Sequence, residues 1–335
     1  MLYRLAKPLL YRLEPETAHN LTLKLLALCP ALIRPQSYPD PCTLMGLTFP
    51  NRLGIAAGLD KNAHALKALD NSGIGFIEIG TLTPKPQSGN PKPRLFRLTQ
   101  QQAIINRMGF NNDGASKVCA RVALIKDNLK ALIGINIGKN KTTPNEHAIH
   151  DYQQALHIAY PHADYITINL SSPNTENLRD LQHGQALATL LSALKKNQHQ
   201  LHDIYQRHVP LVVKIAPDNS PQALEQILET LHTHEIDGII ATNTTINQQS
   251  LPPHLQQQGG LSGAPLTAPS TEILRHIRRQ LPDIPLIASG GVMSPKDLQD
   301  KLNAGADLVQ LYSGLIYQGP ALIKHCLQSL NPPQS

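Results

Sequence analysis

From Leu53 onward the chain repeats one pattern: a short apolar run rich in β-branched residues, a polar or glycine-bearing turn, then a helical stretch. The apolar runs fall at 53–57, 76–79, 132–137, 165–169, 211–215, 238–242, 285–289 and 308–311. Near-continuous apolar strands are what a parallel sheet covered on both faces requires. Eight strand–helix units over roughly 250 residues match the arithmetic of a (β/α)8 TIM barrel. A doubly wound α/β sheet is the alternative, and the lack of a clean GxGxxG after the first run counts against it. The spacing predicts helices over 63–69, with Ala65, Leu66 and Leu69 on one face, and over 222–231, with Leu224, Ile227, Leu228 and Leu231.

Two stretches depart from the repeat. Between the second and third runs, Arg94-Leu95-Phe96-Arg97-Leu98 and Ala103-Ile104-Ile105-Asn106 flank the polar turn Thr99-Gln100-Gln101-Gln102. This reads as an inserted β-hairpin over the barrel mouth. At the N-terminus, Leu2, Leu5, Leu9, Leu10 and Leu13 predict an amphipathic helix interrupted near Pro8, and Leu21, Leu25 and Leu28 predict a second. Pro30, Pro35, Pro39 and Pro41 then make a linker. Residues 1–40 are thus expected to form a helical extension and 41–335 the barrel. Arg4, Lys7, Arg12, Lys24 and Arg34 outnumber Glu14 and Glu16 in the extension. Such a basic helix pair suits an anionic membrane surface, or it is a helical cap on the barrel.

Composition narrows the partners. The 335 residues are 41% hydrophobic and 16% charged, with a net charge of +6. That balance favours anionic small molecules or lipid head groups. No Lys/Arg run is interleaved with aromatics, which argues against nucleic acid. Cys29, Cys42, Cys119 and Cys326 form no ligand spacing, and no HExxH appears, so no metal site is expected. No segment approaches the ~18 uninterrupted apolar residues of a spanning helix. Charged residues break any signal-peptide core. The tail 331–335 carries no pattern and is expected to fray.

Barrel chemistry gathers at the C-terminal ends of the strands. Here those ends are polar, amide-bearing or glycine: Ala57-Gly58-Leu59-Asp60-Lys61, Gly80-Thr81, Asn136, Asn169-Leu170-Ser171-Ser172-Pro173-Asn174, Lys214, Thr242-Asn243-Thr244, Gly290-Gly291 and Tyr312-Ser313-Gly314. Asn169 and Asn174 can each donate and accept hydrogen bonds. A serine between them could move a proton. With Asn243 and the segment Asn106-Arg107-Met108-Gly109-Phe110-Asn111-Asn112, they supply enough donors and acceptors to surround a pyrimidine-like ring. Gly290-Gly291 and Ser313-Gly314 expose backbone N–H groups where barrels bind phosphate, and Gly263 could line the same pocket. Lys214, ending an apolar strand, forms a Schiff base, sits beside an electron-rich ring such as a flavin, or is buried structurally with a carboxylate partner. Lys61 could pair with a substrate carboxylate. Gly134-Ile135-Asn136-Ile137-Gly138-Lys139 has the wrong spacing for a phosphate-binding P-loop.

The segments AAGLDKN, EIGTLTPKPQSGNPKPRLFRL, INRMGFNN, GINIGKNK, INLSSPNTENLR, VVKIAP, IIATNTT, GGLSGAPL and VQLYSGLIY are similar to those of the dihydroorotate dehydrogenase family, in its quinone-dependent, membrane-associated class. The resemblance runs from about Leu10 to the C-terminus. It implies a TIM barrel that binds one FMN, oxidises dihydroorotate to orotate in pyrimidine biosynthesis and reduces a membrane quinone. By motif position, Ser172 is the implied base. Lys61, Asn106, Arg107, Met108, Gly109, Phe110, Asn169, Asn174, Asn243 and Thr244 are the implied substrate contacts. Ala57, Gly58, Leu59, Asp60, Lys61, Thr81, Asn136, Asn169, Lys214, Thr242, Gly263, Gly291, Tyr312 and Ser313 are the implied FMN contacts. Arg97 and Tyr312 match positions near the quinone head group.

Soluble relatives in this family carry Cys at the position of Ser172 and lack the extension. The resemblance therefore implies that residues 1–40 are a quinone-access module on the membrane, at the cytoplasmic side of the cell membrane, on a monomeric peripheral protein. Deleting the extension is then expected to spare flavin reduction and impair quinone reduction. The rival classes are a tRNA dihydrouridine synthase, a Schiff-base lyase using Lys214 and a non-enzymatic membrane-binding barrel.

Overall fold

The computed structural model describes residues 2–330. The tail 331–335 and the side chains of Leu2 and Arg4 lie outside that description. In chain order the elements begin with α1 (Leu2–Arg12), α2 (Pro15–Leu28), β1 (Cys42–Leu44), β2 (Leu47–Phe49), β3 (Leu53–Ile55), α3 (Leu66–Asn71) and β4 (Phe76–Leu82). There follow β5 (Leu95–Leu98), β6 (Ala103–Asn106), α4 (Ala115–Ile125), β7 (Leu132–Ile137), α5 (Ala148–Ala159), β8 (Tyr165–Asn169), α6 (Gly184–Tyr205) and β9 (Leu211–Ile215). The chain closes with α7 (Pro221–Thr233), β10 (Gly238–Ala241), β11 (Gly260–Gly263), α8 (Thr267–Gln280), β12 (Leu286–Ser289), α9 (Pro295–Asn303), β13 (Leu308–Leu311), α10 (Ser313–Gln318) and α11 (Pro320–Leu330).

The strands β3, β4, β7, β8, β9, β10, β12 and β13 form a closed parallel barrel in that sequential order. These are the eight apolar runs of the sequence, most of them with the expected ends. Sequential order follows from right-handed β–α–β crossovers repeated in one direction. The barrel strands are buried along almost their whole length, as strands covered on both faces must be.

Several helices start where their caps dictate. Ser220 accepts the Ala223 N–H at 3.2 Å and Pro221 follows it, opening α7 as the sequence suggests. The helix expected at 63–69 starts later, at Leu66. Asp60 accepts the His64 and Ala65 N–H groups at 2.9 and 2.7 Å, and Ala63 has φ 58°, a left-handed conformation that no right-handed helix contains. Pro8 does not interrupt α1, which runs through it. An internal proline costs a helix ~3 kcal/mol, and tertiary contacts offset this. Lys7 Nζ donates to the Tyr317 carbonyl at 2.8 Å, and the Tyr11 ring packs edge-on against Tyr317 at 6.4 Å.

Two β elements exceed the sequence expectation. β1 and β2 pair antiparallel beneath the barrel. There Phe49 seals the floor against Phe76 and Tyr165, with ring centroids at 5.5 and 6.5 Å. The hairpin β5–β6 forms as expected, and β11 adds a third antiparallel strand to it.

Candidate active site

A cavity opens at the C-terminal ends of the barrel strands and is roofed by the β5–β6–β11 sheet. It holds about 1030 Å³ of empty space, counting its open mouth. Ser172, Lys61, Lys214, Asn106, Asn169, Asn174, Asn243 and Thr244 all line it, as do Met108, Gly109 and Phe110. Ala57, Gly58, Thr81, Thr242, Gly263, Gly291, Tyr312 and Ser313 complete its walls. Residues 250 positions apart in sequence thus share one chamber because every barrel strand ends on the same rim.

Five residues named from the sequence do not line this cavity. Leu59 packs into the core, and Asp60 is spent capping the turn before α3. Asn136 is fully buried below the floor, where its Oδ1 accepts the Asn169 Nδ2 at 3.1 Å and the Thr81 Oγ1 at 2.5 Å. It orients two lining residues from behind. Arg107 turns outward, donating to the Pro93 and Gln258 carbonyls at 3.2 and 3.3 Å. Arg97 also points away, toward the α1–α2 corner. Its guanidinium donates to the Tyr11 carbonyl at 2.9 Å and stacks over the Tyr11 ring at 4.2 Å.

The polar wall is held by three groups of hydrogen bonds. Asn174 Nδ2 donates to Asn106 Oδ1 at 3.1 Å. Asn243 Nδ2 donates to Ser171 Oγ at 2.9 Å, and its Oδ1 accepts the Thr244 N–H at 2.8 Å. Ser172, only 6% exposed, receives the Asn174 backbone N–H on its Oγ at 3.2 Å. Lys61 Nζ donates to Asn111 Oδ1 at 2.6 Å.

The charge is one-sided. Lys61 and Lys214 line the cavity, and no Asp or Glu does among the described residues. Burial pushes the Lys61 ammonium down to about 7, helped by the charge of Arg94 and opposed by that of Glu16. Burial also pushes Lys214 down, opposed by the carboxylate of Glu78. A desolvated cation gains from any anion placed beside it. Burial raises the Tyr312 hydroxyl to about 12 and keeps it neutral.

Two functional features were missed in the sequence. Glu78 is wholly buried under the floor, where it accepts Asn136 Nδ2 at 2.8 Å, Gln310 Nε2 at 2.7 Å and the Tyr165 hydroxyl at 3.1 Å. A lone acid inside the apolar run Phe76-Ile77-Glu78-Ile79 was the available signal. Gln310 lines the cavity, and its Oε1 is buried with no partner. Gly290 and Gly291, named together from the sequence, both line the wall at positive φ (110° and 72°), and among the described residues neither N–H donates to a backbone carbonyl. Unpaired acceptors and donors facing a cavity await a polar ligand.

Comparison with known proteins agrees with this chemistry. The family "Dihydroorotate dehydrogenase" matches residues 41–332. A Dichelobacter nodosus protein named "Dihydroorotate dehydrogenase (quinone)" is 60% identical over 328 residues, covering 97% of each chain. A protein of the same name from Acinetobacter baylyi is 51% identical over 335 residues, covering 98% of this chain and 100% of its own. The crystal structure of ligand-free DHODH from Eimeria tenella superposes with a TM-score of 0.88 at 37% identity, covering 94% of each chain. The cavity walls, the barrel and these relatives agree: the chain belongs to the flavin-dependent dihydroorotate dehydrogenase family, and to its quinone-dependent branch.

Proposed function

We propose that dihydroorotate and FMN meet in the cavity at the barrel mouth, with Ser172 as the base. The chain oxidises dihydroorotate to orotate in pyrimidine biosynthesis and passes the electrons to a quinone. The observation that carries the site assignment is the convergence of Ser172, two desolvated lysines and a ring of amides on one chamber without a carboxylate.

The walls fit FMN at both ends. The free N–H groups of Gly290 and Gly291 suit a phosphate, with Gly263 and Ser313 beside them. A Cβ on Gly291 would lie 2.3 Å from the Thr267 backbone, so this close approach needs glycine. The unpartnered Gln310 Oε1 and the Lys214 ammonium suit the ring, one as acceptor and one as cation. Ala57, Gly58, Thr81, Asn169, Thr242 and Tyr312 supply the remaining wall. When bound, FMN supplies the acceptor for the hydride leaving substrate C6 and relays the electrons to quinone.

The chain's own groups do the rest. Lys61 holds the substrate carboxylate. Asn106, Asn169, Asn174, Asn243 and Thr244 pair with the ring N–H and C=O groups, and Met108, Gly109 and Phe110 shield it from water. Ser172 Oγ takes the proton from C5. An alcohol is a weak base at its free pKa, so its own proton leaves as the new one arrives. We assign that exit to water beside Thr175, buried on the same loop.

Residues 1–40 serve quinone access and 41–335 catalysis. Leu5, Leu9, Leu21, Leu25 and Leu28 stand exposed on α1 and α2, the apolar face a lipid surface covers. Among the described residues no helix is long and apolar enough to cross a membrane. The protein then sits peripherally, on the cytoplasmic side, as a monomer. Tyr312 lines the cavity, and Arg97 braces the corner between the two helices through the Tyr11 and Leu13 carbonyls.

An anaerobic absorbance titration tests the assignment. Dihydroorotate should bleach a yellow chromophore that a soluble quinone restores. A protein that dihydroorotate cannot bleach after FMN is supplied overturns it.

A further inference from the structure

A buried ion pair joins the N-terminal helices to the loops around Ser172. Glu16, in the first turn of α2, is 3% exposed. Its two carboxylate oxygens accept Arg94 Nε at 3.0 Å and Nη2 at 2.7 Å. The far edge of the same guanidinium donates through Nη1 to the Ser88 and Asn90 carbonyls, at 2.5 and 2.8 Å. Arg94 therefore spans two bodies, an extension helix on one side and a barrel loop on the other.

The loop it holds is coupled to the substrate amides. Asn90 Nδ2 donates to the Asn174 carbonyl at 3.1 Å and to the Arg107 carbonyl at 3.0 Å. Its backbone N–H donates to the Met108 carbonyl at 3.0 Å. Asn174 in turn contacts Asn106 and Ser172. The loop has little room to adjust. A Cβ on Gly89 would lie 2.3 Å from the Met108 carbonyl oxygen and 2.9 Å from Arg94 Nη1, and one on Gly109 would lie 2.8 Å from the Asn90 amide.

A buried guanidinium needs a counter-charge. The barrel loop offers Arg94 only carbonyls, and the carboxylate comes from α2. We propose that Glu16 and Arg94 are a positioning pair through which the N-terminal extension completes the dihydroorotate side of the site, in addition to serving quinone. The inference rests on the reading of Asn174, Asn106 and Ser172 as the groups that meet dihydroorotate. It also changes one expectation: losing residues 1–40 impairs flavin reduction as well as quinone reduction, because it strands Arg94.

Burial works to raise the Glu16 carboxyl, but the hydrogen bonds and charge of Arg94, with Lys92 behind, hold it below its ordinary value. The pair is thus ionic at neutral pH. Its negative member also opposes the repulsion that Arg94 exerts on Lys61.

The test uses the full-length holoenzyme. Glu16→Gln keeps the shape and removes the charge. It should weaken orotate binding, read from the flavin absorbance shift, and raise the KM for dihydroorotate, each by roughly tenfold. The KM for a soluble quinone and the flavin content should hold. Glu16→Asp keeps the charge but shortens its reach, so it should fall between the two and serves if the Gln variant does not fold. A drop in melting temperature with unchanged orotate affinity would make the pair a structural brace and overturn the proposal. A rise confined to the quinone KM also overturns it. Asn174→Ala separates the two readings. If this variant binds orotate normally, the site assignment itself fails. If it binds weakly while Glu16→Gln and Glu16→Asp bind normally, only the positioning role fails.

Discussion

The Asn174 backbone N–H points at the Ser172 Oγ from 3.2 Å. A hydroxyl serving as base gathers negative charge as its own proton departs, and an amide dipole aimed at the oxygen stabilises that charge. Ser172→Ala should therefore slow flavin reduction by dihydroorotate by about 10²–10⁴-fold while leaving flavin content unchanged. Stopped-flow absorbance under anaerobic conditions reads both. Reduction at the wild-type rate would remove Ser172 from its role. Ser172→Cys should retain part of the rate, since a thiolate forms more easily but sits differently.

Lys61 makes substrate binding depend on pH. Burial holds its ammonium near a pKa of about 7 in the free protein. The charged form pairs with a carboxylate and predominates below that value, and the neutral form above it does not pair. Orotate affinity should be constant below about pH 6 and weaken toward a limit of about tenfold per unit above pH 8. Lys61→Met should bind weakly at every pH and lose this slope. A slope that survives in the variant assigns the titration to another group.

Lys214 stands at the end of β9, above the buried carboxylate of Glu78. A cation beside a flavin favours its reduced, anionic form. Lys214→Ala should loosen the flavin or shift its midpoint potential negative and slow its reduction. Spectroelectrochemistry and flavin release by ultrafiltration measure these effects. Unchanged flavin content with an unchanged reduction rate refutes the role.

Gly291 combines φ 72° with a Cβ position 2.3 Å from the Thr267 backbone. Gly291→Ala must displace the loop that offers free N–H groups to the phosphate. The expected result is a folded apoprotein with an unaltered far-ultraviolet spectrum and FMN affinity reduced at least tenfold, or ~1.4 kcal/mol. Fluorescence titration with FMN decides it, and wild-type affinity would move the phosphate elsewhere.

Phe49 lies at the opposite end of the barrel. It is fully buried against Phe76 and Tyr165, in a cluster that contains no lining residue. Phe49→Ala should cost ~3–5 kcal/mol of stability through lost burial and a residual cavity. Denaturant unfolding should show this loss, while the folded variant keeps wild-type orotate affinity. A coupled loss of both would show that the floor and the mouth are not independent.

The barrel was legible because its signal is local. Each strand carries its own apolar run, and burial on both faces demands that run wherever the strand sits. The polar strand ends were legible for the same reason. Asn169, Lys214 and Thr242 stand out against the apolar residues before them. The start of α3 was not legible, because it depends on Asp60 turning back to take two N–H groups. Nor was the passage of α1 through Pro8, which needs Tyr317 and Lys7 in contact.

Sequence alone determined the repeat of strand and helix, the polar rim and the residue types available for chemistry, since periodicity and side-chain inventory are properties of the chain itself. Tertiary structure decided which of those residues share a chamber. Arg107 and Asp60 carry suitable groups but turn to other work, while Glu78 and Gln310 act from positions with no motif of their own. It also decided that Glu16 meets Arg94, 78 positions further along the chain. Such a pairing is selected by burial and charge in three dimensions, where a guanidinium withdrawn from water must find its counter-ion on whichever element packs against it.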